Sequence, residues 1–250
     1  MRMDLSLYLQ RIHYAGSLEP TVETLRALHL AHLLAVPFEN LDIHLGRPIS
    51  LEQEALFDKI VLRRRGGLFA ALLEALGFDV PLLSASDAHA DGGFGPEFDH
   101  LTLQVRCADR PGFLWLADVG WGDTFREPLQ LDRVGEQIEG KRAYRIDRQG
   151  DARILWQRDY DGHWERQYRF TLQPRDLDDF VPMSHYHQTS PDSLFTRKRL
   201  CTVATLDGRI TLDDSRLITT ADGVRQEERV EDDQTYRRIL QERFGMWLDA

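Results

Sequence analysis

The chain has 250 residues, 42% hydrophobic and 29% charged, so it can bury a sizeable core as one large domain or as two or three small ones. Its 31 basic and 41 acidic side chains give a net charge of -10, which argues against sequence-independent binding to nucleic acid or an anionic membrane surface. No apolar run reaches the ~18 residues that span a bilayer, and the first residues lack the apolar segment of a secretory signal, so we expect a cytoplasmic protein.

The first eighty or so residues predict helices. The apolar residues that recur at helical spacing near the start are Leu5, Tyr8, Leu9 and Ile12. Gly16 is expected to end this first helix. Thr21 can cap a second helix that turns Leu25 and Leu28 inward, and Pro37 disfavours its continuation. The chain therefore begins with two amphipathic helices.

Two further helices are predicted on either side of a basic, glycine-containing run. Ser50 and Gln53 form a capping-box pattern ahead of the first of them, which the run beginning at Arg63 interrupts. Residues 68–78 are apolar nearly all round, which is typical of a buried helix, and Gly77 can cap its end.

From about Val80 the pattern changes to short alternating runs separated by turn residues, which favours an antiparallel sheet or small barrel. The runs are HLTLQV, KRAYRI, ILWQRDY and HWERQYRFTL, and later CTVATL, RITL and SRLITT. A polar, proline-containing stretch runs from Pro174 to Asp192. Residues 231–245 predict a final helix ending at Gly245. The fold class is therefore α+β, with helices first, then strands, then a mixed end.

The first candidate for chemistry is a pair formed by His100 and Asp118. His100 begins a strand and shares its more polar face with Thr102, while Asp118 follows the apolar run 113–117. Strands at 101–105 and 113–117 joined by a short turn are natural hairpin partners, so the two side chains can meet. A buried carboxylate needs a partner, and it can orient an imidazole and stabilise its charged form. The residues alone leave open whether this is an acid–base pair or an ordinary buried hydrogen bond.

Motifs along nearly the whole chain resemble the arylamine N-acetyltransferase family. They are Pro37-Phe38-Glu39-Asn40-Leu41, Lys59-Ile60-Val61, Arg64-Arg65-Gly66-Gly67, His100-Leu101-Thr102-Leu103, Asp118-Val119-Gly120-Trp121-Gly122-Asp123, Ser190-Pro191-Asp192-Ser193-Leu194-Phe195 and Asp207-Gly208-Arg209. Each is weak alone. Their shared order and spacing make the resemblance specific.

The resemblance implies a helical bundle over 1–78, an antiparallel β-barrel over 79–185 and an α/β lid over 186–250, a scaffold that carries a cysteine-protease-like triad. It also implies transfer of acetyl from acetyl-CoA, as co-substrate, to an arylamine, N-hydroxyarylamine or hydrazine through a Cys-His-Asp triad, with no metal. An adjacent imidazole captures the thiol proton so that the thiolate can attack, and the carboxylate orients the ring. His100 and Asp118 would fill the second and third roles.

Further site residues follow from the same resemblance. Arg64, Arg65 and Gly67 would support the site. Phe38, Trp121 and Phe195 would line the acceptor pocket. Thr102, Gly120 and Gly122 would lie near the cofactor. Each group has a structural alternative. The arginines can belong to a solvated basic run, the aromatic residues can pack in the core, and the glycines can form a simple turn after a strand.

The nucleophile is the one part of the expected site that the sequence lacks. In the family the cysteine stands after the Arg-Arg-Gly-Gly run, within an aromatic-Cys-aromatic-Glu-x-Asn-Gly stretch, whereas here Leu68 follows Gly67 directly. About seven residues are absent, nearly two helical turns with a net rotation of about 20°, so the rest of the helix can keep its buried face. Either the natural protein holds the segment and this sequence has lost it, or the protein is catalytically impaired.

The two cysteines that are present are poor substitutes. Cys107 lies an odd number of positions after His100, hence on the opposite strand face and about 23 Å away along a straight strand. Cys201 begins a later strand, where a structural thiol is expected. Two other hypotheses therefore stand beside the transferase: a non-catalytic protein that binds CoA or an arylamine, and a different acyl transferase or hydrolase that uses Cys201. Paired histidines at 29/32 and 185/187 lack the partners of a metal site.

Overall fold

The computed structural model describes residues 4–65 and 69–248. The chain divides into two compact units. One contains the described residues of 1–15, 31–68 and 181–250, and the other contains residues 16–30 and 69–180. The three-part division at residues 78 and 185 stays a prediction.

The helices of the described residues follow in chain order. They are α1 (Leu5–Arg11), α2 (Val22–Ala35), α3 (Leu41–His44), α4 (Gln53–Phe57) with a π-helical continuation (Asp58–Leu62), α5 (Ala70–Ala75), α6 (Val181–Thr189) after a 3-10 turn (Leu177–Phe180), α7 (Leu194–Arg197) and α8 (Asp233–Phe244). Within these residues, no helix combines the length and the apolar character that crossing a membrane requires.

The start of α2 and the end of α8 lie where the sequence predicted them. The Thr21 Oγ1 accepts a hydrogen bond from the Thr24 amide at 3.2 Å, as an N-cap does, and Leu25 and Leu28 are fully buried. Gly245 ends α8 with φ of 64°, a left-handed value that glycine adopts without a steric penalty. In contrast, α1 ends at Arg11, before Gly16.

The capping box predicted at Ser50 and Gln53 is wrong. The Ser50 Oγ accepts from the Glu52 amide at 3.1 Å, ahead of the helix, and Glu52 occupies the cap position without a side-chain capping bond. The hydroxyl is therefore used two residues along the chain and does not reach the first turn of α4.

Helix α5, which follows the basic run, keeps its buried face, as the small net rotation of seven helical residues predicts. Phe69, Ala70, Leu72 and Leu73 are at most 2% exposed. Past its end, Gly77 has φ of 85° and donates its amide to Glu74, while the Phe78 amide reaches Leu73 at 3.1 Å. This is a complete Schellman cap, so α5 is short but regularly ended.

An eight-stranded antiparallel sheet, curled into a nearly closed barrel, occupies the second unit within the described residues. Its strands are β2 (Leu82–Asp87), β3 (His100–Arg106), β4 (Leu114–Ala117), β5 (Leu129–Gln130), β6 (Gln137–Glu139), β7 (Arg142–Gln149), β8 (Ala152–Arg158) and β9 (Trp164–Arg175). Their spatial order is β5-β4-β3-β2-β9-β8-β7-β6. The inward faces form a core that includes Leu116, Tyr144, Leu155, Tyr168 and Phe170.

A five-stranded antiparallel sheet forms in the first unit, within its described residues. Its strands are β1 (Phe38–Glu39), β10 (Leu200–Ala204), β11 (Gly208–Asp213), β12 (Arg216–Ala221) and β13 (Val224–Arg229), in the spatial order β1-β10-β11-β12-β13. Helix α8 buries Tyr236, Leu240 and Phe244 in a core shared with Cys201 and Leu212. Helices and two antiparallel sheets confirm the α+β prediction.

Candidate active site

The hairpin of β3 and β4 brings His100 and Asp118 together. Leu103 pairs with Ala117 and Val105 with Trp115, so the predicted hairpin partnership is confirmed. His100 is the first residue of β3, and Asp118 comes directly after the last residue of β4. Both side chains therefore lie at the same end of the hairpin.

A short hydrogen bond joins the two side chains. The Nε2 of His100 lies 2.7 Å from the Oδ2 of Asp118, whose side chain is fully buried. An ionised carboxylate only accepts, so Nε2 carries the proton. The other ring nitrogen, Nδ1, makes no hydrogen bond to any residue in 4–65 or 69–248, and the side chain is 10% exposed. In the neutral ring, Nδ1 is therefore the atom free to take a proton.

Asp118 is held by donors on both carboxylate oxygens. Its Oδ1 accepts from the amides of Gly120 at 3.0 Å and Trp121 at 3.2 Å. Its Oδ2 accepts from the hydroxyl of Tyr168 at 2.7 Å in addition to His100. Four donors fix the carboxylate plane, so Asp118 can hold the imidazole in one orientation.

The pKa shifts agree with an ion pair. Burial raises the pKa of Asp118, but the charge of His100 and hydrogen bonds from His100, Tyr168 and Gly120 outweigh it and leave the pKa below its usual range. Burial lowers the pKa of His100, but the charge and the hydrogen bond of Asp118 outweigh it, and the net pKa is raised. Burial, and then Asp118, raise the pKa of Tyr168 well above its usual range, so its hydroxyl stays a donor.

Replacing Tyr168 by Phe is expected to lower the free energy of unfolding by about 1.5–3 kcal/mol, because the hydrogen bond reaches a charged, buried group. Urea unfolding of the variant measures this loss. The matched control is Tyr236→Phe, because the Tyr236 hydroxyl is buried and has no hydrogen-bond partner in the described part of the chain. An equal loss in both variants would show that the Tyr168–Asp118 bond contributes nothing specific.

Trp121 packs beside this pair, and the loop that carries it is anchored at several points. The indole lies edge-on to the rings of His100, at 5.1 Å, and Tyr168, at 5.0 Å, and its Nε1 donates to Gln167 Oε1 at 3.0 Å. Two nitrogens of Arg142 bond the carboxylate of Asp123 at 2.7 and 2.9 Å. The loop after Asp118 is therefore held from two strands of the barrel, β9 through Gln167 and β7 through Arg142.

The three positions expected near the cofactor differ in accessibility. A Cβ at Gly120 would lie 3.4 Å from the His100 ring, so glycine leaves space next to the imidazole. Gly122 has φ of 86°, which requires glycine for the turn itself. Thr102 is fully buried and its hydroxyl lies 3.4 Å from Tyr168 and from the Ala117 carbonyl. The structure gives Thr102 a place beside Tyr168 and no surface for a ligand.

A family profile described as N-acetyltransferase matches residues 21–250. The arylamine N-acetyltransferase of Mycolicibacterium smegmatis is 36% identical over 99% of this chain and 94% of its own length. The chain belongs to the arylamine N-acetyltransferase family. A Salmonella typhimurium member, named arylamine N-acetyltransferase / N-hydroxyarylamine O-acetyltransferase, is 34% identical over 98% of this chain and 89% of its own length.

Solved structures of the family share the fold. The Mycobacterium marinum arylamine N-acetyltransferase in complex with CoA superposes with a TM-score of 0.88, at 32% identity, over 97% of this chain and 93% of that one. The alignment with the M. smegmatis relative has 259 positions, more than the 250 residues of this chain. It therefore contains gaps in the sequence of this chain.

The remaining predicted site residues of this family member lie in the first unit. The rings of Phe38 and Phe195 pack at 6.0 Å, and both are half-buried. Arg64 is exposed, and its carbonyl accepts a hydrogen bond from Arg11 Nη2 at 3.3 Å. Arg65 is 2% exposed and binds two buried carboxylates, so it is not part of a solvated basic run. Gly67 lies outside the described residues.

Neither cysteine of the chain is set up as a nucleophile. Cys107 is 2% exposed, and burial followed by the charge of Asp109 raises its pKa to about 12. Cys201 is fully buried, and burial together with Glu39 raises its pKa well above the usual range. Because the thiolate is the reactive form, both environments disfavour attack.

Sequence reasoning missed two members of the site. Tyr168 sits in an alternating strand run, where an inward tyrosine is indistinguishable from ordinary core. The sequence marks His29 only by its metal-like spacing with His32, whereas in the structure its ring bonds the main chain of Asp118. No group of three potential metal-ligating side chains occurs among the described residues.

Proposed function

We propose that this chain carries the acid–base half of an acetyl transfer site that takes acetyl from acetyl-CoA and passes it to an arylamine, N-hydroxyarylamine or hydrazine. The carrying observation is the buried 2.7 Å contact between His100 and Asp118, in a member of this family. A CoA complex of one relative and the N-hydroxyarylamine activity in the name of another support the two substrate classes.

The chemistry assigned to His100 is proton transfer at Nδ1. In the first half-reaction this nitrogen takes the proton of a cysteine thiol, the thiolate attacks the thioester carbonyl, and the CoA thiolate leaves and recovers the proton. In the second, the amine attacks the acetyl-cysteine, the S–C bond breaks, and the amine proton passes through Nδ1 to the cysteine sulfur. Asp118 stabilises the imidazolium in both.

The covalent step needs a cysteine that the sequence does not hold. With Cys107 and Cys201 buried and their thiolates disfavoured, His100 has no thiol to deprotonate. Loss of a nucleophile typically costs several orders of magnitude in rate. The second candidate function, favoured by this one observation, is a protein that binds CoA or an arylamine without transferring acetyl.

Insertion of an aromatic-Cys-aromatic-Glu-x-Asn-Gly segment between Gly67 and Leu68 is expected to create a single acetyl adduct after incubation with acetyl-CoA. The unaltered chain is expected to form none, because it holds no reactive thiol. Intact-protein mass spectrometry measures the adduct, and peptide mapping locates it on the inserted cysteine.

The matched control is the same insertion with serine in place of the cysteine. It keeps the added length and removes the thiol, so it is expected to show no rapid adduct. An inserted chain that folds but neither becomes acetylated nor binds CoA would overturn the proposal. No adduct on the inserted chain together with measurable CoA binding would support the binding protein, and an adduct on Cys201 would support the acyl transferase or hydrolase that uses Cys201. Reading the encoding DNA between Gly67 and Leu68 decides whether the segment is truly deleted.

A further inference from the structure

His29 bridges the two ends of the loop that begins at Asp118. It lies on α2 and is fully buried. Its Nδ1 is 2.8 Å from the carbonyl of Arg126, and its Nε2 is 3.1 Å from both the amide and the carbonyl of Asp118. Strand β4 ends at Ala117, and the next amide, that of Asp118, bonds this imidazole.

The partners determine which ring nitrogen is protonated. A carbonyl oxygen only accepts, so the Nδ1 that faces Arg126 must carry a hydrogen. In the neutral ring Nε2 then has a lone pair, and it accepts the hydrogen bond from the Asp118 amide. Protonation would place a hydrogen on Nε2, which would then donate to the Asp118 carbonyl at 3.1 Å, so that the Asp118 amide would lose its acceptor.

The surroundings of His29 hold it in this neutral form. The ring stacks on Phe125 at 5.7 Å with an interplanar angle of 6°, and Phe69 meets it edge-on at 5.9 Å. Burial among these rings lowers the pKa of His29, while the pKa of His100 is raised. Two histidines thus contact Asp118, one at its main chain with a lowered pKa and one at its carboxylate with a raised pKa.

We propose that His29 is a positioning residue. Through its hydrogen bond with the Asp118 amide it fixes the main chain of Asp118, so that the carboxylate meets His100. The inference rests on the proposed role of the His100–Asp118 pair. A displacement of the Asp118 main chain would move the carboxylate away from Nε2 of His100. Because the pairing depends on distance, the displacement weakens the electrostatic support of the imidazolium.

The experiment is an NMR titration of the histidine rings in the unaltered chain and in His29→Leu. In the variant, the pKa of His100 is expected to fall toward its value in Asp118→Asn. His29→Gln, which keeps one donor and one acceptor, is expected to recover part of the shift. A lower unfolding free energy in His29→Leu with an unchanged His100 pKa would overturn the proposal, because it would reduce His29 to a packing residue.

His32→Leu is the matched control. His32 is a buried histidine one turn along the same helix, and its Nδ1 bonds the Tyr8 hydroxyl at 3.0 Å. Its loss is expected to destabilise the fold but to leave the pKa of His100 unchanged.

A second readout needs no substitution, which keeps the proposal testable if His29→Leu does not fold. Nitrogen chemical shifts of the unaltered chain are expected to show neutral His29 with the proton on Nδ1, and a proton on Nε2 of the neutral ring would contradict it. Neither readout requires acetyl transfer, so failure of this inference is distinguishable from failure of the proposed function.

Discussion

Replacing Asp118 by Asn is expected to lower the pKa of His100. In a chain with the cysteine segment restored, it is expected to slow acetyl-enzyme formation by about 10⁴-fold, the order found when a triad carboxylate becomes an amide. The amide has no charge to stabilise the imidazolium, so burial then dominates the titration of His100. NMR titration of the ring and the time course of acetylation by mass spectrometry measure the two effects.

The substitution also changes which nitrogen of the neutral His100 ring carries the proton, and this change contributes to the loss of rate. The Asn oxygen is expected to stay with the amides of Gly120 and Trp121, because both only donate. The amide nitrogen then faces Nε2 of His100, which must accept, so the proton of the neutral ring moves to Nδ1. The atom needed to take a proton would then already carry one.

Asp123→Asn is the control for this experiment. Asp123 lies in the same loop, but its carboxylate pairs with Arg142 and is nearly half exposed. Its substitution is expected to leave the His100 titration unchanged. If Asp118→Asn and Asp123→Asn gave the same His100 pKa as the unaltered chain, the ion pair would not be the cause of the raised value.

Features of the site that depend on local sequence were predictable. Alternation over 100–106 and the short turn before β4 are enough to place His100 and Asp118 at the same end of one hairpin. Tyr168 lies 50 positions from Asp118, and its approach depends on the register between β2 and β9, which a bulge shifts between Leu83 and Ala85. Periodicity does not encode that register.

Other elements had no apolar pattern to detect. Helix α6 lies in the polar stretch between Pro174 and Asp192, and none of its residues is buried. Strand β13 is exposed along its whole length. An amphipathic pattern arises only where one face is buried, so neither element had a signal beyond local propensity. The expectation that a cysteine segment is absent, in contrast, rests only on resemblance, because nothing in composition or spacing marks it.

Glu39→Gln is expected to lower the free energy of unfolding by about 3 kcal/mol, the lower end for breaking a buried ion pair. Lys59 and Arg65 lose one of their two shared carboxylates and keep the other, that of Asp42. The fully buried Glu39 carboxylate lies 2.7 Å from Arg65 Nη2 and 3.1 Å from Lys59 Nζ, and it accepts the Leu41 amide at 2.8 Å. Burial raises the pKa of Glu39, but the charges of Lys59 and Arg65 and these hydrogen bonds outweigh it and lower the pKa to about 2. Urea unfolding near neutral pH measures the loss.

The stabilisation that Glu39 provides is expected to depend on pH. The folded-state pKa of Glu39, about 2, lies below its ordinary value of 4.5, so ionised Glu39 contributes its full stabilisation above about pH 4.5. That contribution is lost as the pH falls toward 2, and the difference in unfolding free energy between the unaltered chain and Glu39→Gln is expected to narrow in the same window.

Asp58→Asn is the control, because the Asp58–Arg63 pair is exposed and such pairs contribute about 1 kcal/mol at most. Equal losses in the two variants, or a difference that does not change with acid, would contradict the assignment. Glu39 lies in the motif that carries the family resemblance, and its ion pair gives that motif a physical reason, because Glu39 holds Arg65 shortly before the junction of Gly67 and Leu68.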